Sequence, residues 1–176
     1  MNSKRGANVV YGFSMIELII VIAVVIIISG TLIINYQRFI ERQAVRQEAL
    51  NFKQTLRQLQ TKAKSGEKTT NLGDCLSGER LYGWRINITG GSPALLTYEL
   101  ICWDAANAQI QRGQIISVSF REGVVVNPST QITFRALNLP VEGLLANPQL
   151  ITFSSGTYIC TIAVNNTGDI SDRGCI

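Results

Sequence analysis

Between Phe13 and Ile34 the chain holds one charged residue, Glu17, in a run made mostly of isoleucine and valine. A helix needs roughly 20 apolar residues to cross a bilayer, so the run predicts a membrane helix over 13–35. Lys4 and Arg5 precede it. Positive charge on that side predicts a cytoplasmic N-terminus and an exported remainder. A cleavable secretory signal would show a shorter apolar core followed by a small-x-small site. Here Ser29-Gly30-Thr31 is followed by more leucine and isoleucine, which predicts that the segment is retained.

Apolar residues make up 46% of the 176, charged residues only 16%, which argues against disorder. Mean hydropathy is +0.18, in keeping with part of the chain lying in lipid. There is no histidine. That removes histidine triads, histidine general bases and most transition-metal sites together. No phosphate-binding glycine loop, GxSxG, HExxH or EF-hand loop occurs either. The acids Asp74, Glu79, Asp104, Asp169 and Asp172 are scattered and read as turn and capping residues. Neither an enzyme nor a cofactor is expected.

Beyond the membrane segment the helical period continues through residues 36–68. Val45, Ala49, Phe52, Leu56, Leu59 and Ala63 recur at steps of three and four, which puts them on one face. Ser65-Gly66 reads as the stop, with Lys62 and Lys64 suiting the negative end of the helix. At 100° per residue Arg38, Arg42, Arg46, Lys53, Arg57 and Lys64 form a stripe beside the apolar face. One reading is a solvated, partly ion-paired flank. The other is a contact surface for acidic faces of neighbouring subunits or for lipid headgroups.

From residue 69 the texture changes to strands. Tyr82, Trp84, Ile86 and Ile88 alternate, Gly90 to Pro93 turn the chain, and Leu96, Tyr98, Leu100 and Cys102 alternate again. Further strand candidates are 115–120, 131–135, 150–153 and 157–164. A long helix followed by strands predicts an α+β fold, the helix packed on a C-terminal antiparallel sheet head over 69–176. Cys75, Cys102, Cys160 and Cys175 all fall in that head. In an oxidising compartment an even count favours disulfides. Hairpin geometry would bring Cys75 towards Cys102, and Cys175 could fasten the tail to Cys160. Free thiols, a buried Cys102 and a metal site stay open, although no CxxC spacing is present.

Gly12-Phe13-Ser14-Met15-Ile16-Glu17, followed by the apolar run, resembles the N-terminal signature of type IV pilins and type II secretion pseudopilins. The resemblance implies a leader over 1–12, cut by a prepilin peptidase after Gly12, with N-methylation of Phe13. It also implies that Glu17, at the fifth mature position, acts in filament assembly. A carboxylate in hydrocarbon costs about 2.5–3.5 kcal/mol on insertion scales and needs a partner. The amine of Phe13 on a neighbouring subunit would supply it, and snorkelling to headgroups is the alternative. Leu56, Leu59-Gln60 and Ala63 before Gly66 are similar to the helix end of minor pilins of the GspH/FimT group, and Ile132-Thr133-Phe134, Leu150–Phe153 and Ile162-Ala163-Val164-Asn165 with Gly168-Asp169-Ile170 to that group's closing strands.

Implied partners are the peptidase, other pilin or pseudopilin subunits, an inner-membrane assembly platform, and membrane lipid before assembly. The implied location is the bacterial inner membrane, in one pass with the head exported, and later a pilus or pseudopilus. Some members of the group bind DNA through arginines after the last glycine. Here Gly168 is followed by Asp169-Ile170-Ser171-Asp172 and only Arg173. Nucleic acid is therefore an alternative partner, and a membrane-anchored domain outside any filament a further alternative.

Overall fold

The structure is a computed structural model describing residues 14–68, 75–91, 93–106 and 108–176, with side chains for all of these except 30–35, 113 and 114. Helix α1 runs Met15–Ser65. Its start is capped: Ser14 Oγ accepts the Glu17 N–H at 3.3 Å, and the Ser14 carbonyl accepts the N–H groups of Glu17 and Leu18. Its end is closed by Gly66 at φ 70°, with the Gly66 N–H on the Ala63 carbonyl and the Glu67 N–H on the Lys62 carbonyl. These two bonds satisfy carbonyls the helix would otherwise leave open. The expected stop at Ser65-Gly66 is where the helix ends.

The chain divides into two compact units, Met1–Ile40 and Glu41–Ile176. In the first, the described side chains of α1 are exposed nearly throughout, from Met15 at 83% to Ile28 at 54%. Among the described residues no helix is long and apolar enough to cross a membrane. The expected leader over 1–12 and Phe13 lie outside the described residues.

The second unit is α+β. It holds β1 (Arg80–Thr89), β2 (Leu95–Trp103), β3 (Gln109–Ser119), β4 (Val125–Asn127), β5 (Thr130–Arg135), β6 (Gln149–Ser155), β7 (Tyr158–Val164) and β8 (Ile170–Cys175). The expectation of a single sheet needs correction, for the described residues form two four-stranded antiparallel sheets. Their orders are β3-β2-β1-β5 and β4-β6-β7-β8. The switch between them falls between β4 and β5, at Pro128. Proline has no N–H to give a ladder, so one strand cannot run through it. β4 stays beside β6 while β5 crosses to β1.

One core joins the helix to both sheets. Val45, Ala49, Phe52, Leu56, Leu59 and Ala63 are all buried, as their spacing predicts. They meet Trp84, Ile86 and Ile88 of β1, Leu96 and Leu100 of β2, and Ile151, Phe153 and Ile162 of the second sheet. Phe52 sits among aromatics, its ring centroid 5.2 Å from Phe153 and 6.3 Å from Phe120.

Candidate functional site

The site singled out by the sequence begins at the capped end of α1. Ser14-Met15-Ile16-Glu17 has the spacing of a capping box, and the structure forms its serine half. Glu17 lies in the first turn, exposed, where a carboxylate favours the positive end of the helix dipole. It makes no ion pair among the described residues. Around it Met15, Ile16, Leu18, Ile19 and Ile20 are more than half exposed. A helix apolar on every side is a helix that buries itself in something else. Gly12 and Phe13 lie outside the described residues, so their proposed processing has no geometry to report.

The basic stripe divides between the two units. Arg38 is exposed in the first. In the second, Arg42, Arg46, Arg57 and Lys64 are exposed and Lys53 is half-buried. Two of these cations engage the second sheet. The Arg42 guanidinium lies 5.7 Å from the centroid of the Tyr158 ring, and Lys53 Nζ is 3.9 Å from Asp172 Oδ2. Arg57 and Lys64 line a polar hollow with Thr167, Gly168 and Asp169. Gln60 between them donates to the Gly168 carbonyl. Asp172 was expected at a turn; it stands in β8, a strand the sequence pattern does not reveal.

The four cysteines form two disulfides. Cys75–Cys102 ties the segment before β1 to β2, with Cα atoms 5.8 Å apart. Cys160–Cys175 joins directly paired residues of β7 and β8, with Cα atoms 4.1 Å apart. No cysteine is free. Glu79 lies near the first disulfide, but its carboxylate is taken by Arg112, whose Nε donates to Oε2 at 3.1 Å and whose Nη2 donates to Oε1. With both sulfurs bonded to each other, that cluster is no metal centre.

Sequence reasoning passed over a second basic cluster. Arg80, Arg135, Tyr82 and Trp103 come together at one end of the first sheet, joined by Lys68. Arg135 Nη1 donates to Glu142 Oε1 at 2.9 Å, and the Tyr82 hydroxyl donates to the same carboxylate. Burial, then this hydrogen bond, raises the Tyr82 pKa. Arg80 and Tyr82 share β1, but Trp103 and Arg135 are far from them in sequence, and only the pairing of β1 with both β2 and β5 makes them neighbours. The chain matches no protein-family model, and no curated protein or solved structure is significantly similar to it.

Proposed function

We propose that the chain is a minor structural subunit of a filament of the type IV pilus or type II secretion pseudopilus kind. Residues 13–35 would lie in the inner membrane before assembly and in the filament core after it. The observation that carries this reading is the start of α1: a capped helix, apolar and exposed on all sides, with one carboxylate, Glu17, in its first turn. An apolar surface of that extent is stable only against lipid or other apolar helices. The Glu17 carboxylate then has to be neutralised in a low-dielectric setting, and the amine of Phe13 on a neighbouring subunit would do so. The two disulfides suit an exported head.

The test is intact-mass and N-terminal peptide analysis of the protein extracted from its native membrane. The proposal expects a chain beginning at N-methylated Phe13. A chain that keeps Met1, or one cut beyond Ile28, removes the filament reading.

A further inference from the structure

A cavity of about 350 Å³ opens at the end of the first sheet, beside the last residues after α1. Its volume is at the small end of ligand pockets, which run roughly 300–1,000 Å³. Such a space admits one ring with a charged group. Among the described residues three cations line it, Lys68, Arg80 and Arg135, and no carboxylate does. Glu142 engages Arg135 from outside the lining. Lys68 and Arg80 make no ion pair among the described residues. Arg135 also keeps its Nε buried without a hydrogen-bond partner.

The aromatic side of the cavity is preassembled. The rings of Tyr82 and Trp103 lie 5.3 Å apart at 35°, and the Arg135 guanidinium sits 5.2 Å over Tyr82. Glu142 holds both Arg135 and the Tyr82 hydroxyl, so neither is free to collapse into the space. At the lip, Leu137 and Asn138 both adopt left-handed backbone, φ 59° and 58°. Asparagine tolerates that conformation, but for Leu137 it is costly, and strain of this sort collects where it serves a ligand. Here it leaves Leu137 77% exposed beside the cavity.

We infer that this cavity binds a small oxyanion carried on a flat apolar body, an aryl carboxylate or an aryl phosphate. The ring lies against Trp103 and Leu137, and the oxyanion meets Arg80 and Lys68. A guanidinium fork donates two parallel hydrogen bonds to either anion. The inference is independent of the filament reading, since every residue it uses lies in the second unit.

The experiment titrates benzoate and phenyl phosphate, to roughly 10 mM, into the full chain in a non-ionic detergent, read by calorimetry and tryptophan fluorescence. At least one of the two should bind saturably, and which one does identifies the anion. Neutral benzamide should bind at least about tenfold more weakly. Arg80→Gln and Trp103→Leu should each cost about tenfold, while Arg121→Gln, at an exposed cation elsewhere in the unit, should change nothing. Arg80 is exposed, so its replacement leaves the fold intact. The inference is overturned if neither probe saturates, if benzamide binds equally well, or if Arg121→Gln weakens binding as much as Arg80→Gln. Tighter binding of a thymidine oligonucleotide through Arg80 and Trp103 overturns it too, in favour of a nucleic-acid surface.

Discussion

Phe52 and Gly83 mark two tightly packed places in the second unit. Phe52 is 1% exposed and stacks on two aromatic neighbours. Phe52→Ala should cost about 3–5 kcal/mol, read from urea denaturation. At Gly83 a Cβ would stand 2.2 Å from the Phe134 carbonyl oxygen and 3.0 Å from the Arg135 Cα, both backbone atoms that cannot turn aside. Gly83→Ala should therefore destabilise by about 1–3 kcal/mol or more, and unchanged stability would mean that β1 and β5 are not so closely apposed. The Glu79–Arg112 pair belongs to the same scale. The Arg112 hydrogen bond chiefly, with the Leu76 N–H, holds the Glu79 carboxyl below its ordinary value of 4.5, against the opposing effect of burial. A carboxyl held down only in the folded chain binds fewer protons folded than unfolded. Its contribution is complete above that ordinary value and is lost as the pH falls through and below it. Between about pH 5 and pH 3 the melting temperature of the wild type should fall further than that of Glu79→Gln.

Among the elements, α1 was the most legible. Its apolar steps, its lack of proline and its glycine stop are local signals, and each names its own residues. The paired strands β1 and β2 were legible for the same reason, since alternation is a property of adjacent residues. β4 and β8 were not. β4 has three residues, too few to alternate. β8 reads Ile-Ser-Asp-Arg-Gly-Cys, polar almost throughout, and is a strand because β7 offers it a ladder and Cys160 a covalent tie. Replacing Cys160 and Cys175 together by serine should cost about 3 kcal/mol, the chain entropy of a loop of 15 residues. Hydrogen exchange should then show β8 opening before β6 and β7; equal protection would mean that the ladder alone holds it.

At the scale of the molecule, the prediction concerns Glu17. Under the proposed function, Glu17→Ala leaves membrane insertion intact and abolishes or strongly reduces incorporation into filaments, measured by comparing membrane and sheared filament fractions. Normal incorporation of that variant counts against the pairing role. The candidate site at the start of α1 could be read from the sequence because its chemistry is a matter of neighbours along the chain: an apolar run, a glycine, an aromatic and an acid at set spacing. The capping role of Ser14 was equally open to reading, three residues before Glu17. The sequence by itself also determined the α+β class and the helix face that enters the core, since hydrophobic periodicity is local and burial follows it. Only the tertiary structure decided that the strands form two sheets, that Asp172 meets Lys53, and that Arg80, Tyr82, Trp103 and Arg135 line one cavity. Those are contacts between residues remote in the chain. They depend on which edges pair, and that choice is made by packing a whole core at once, which no short window of sequence records.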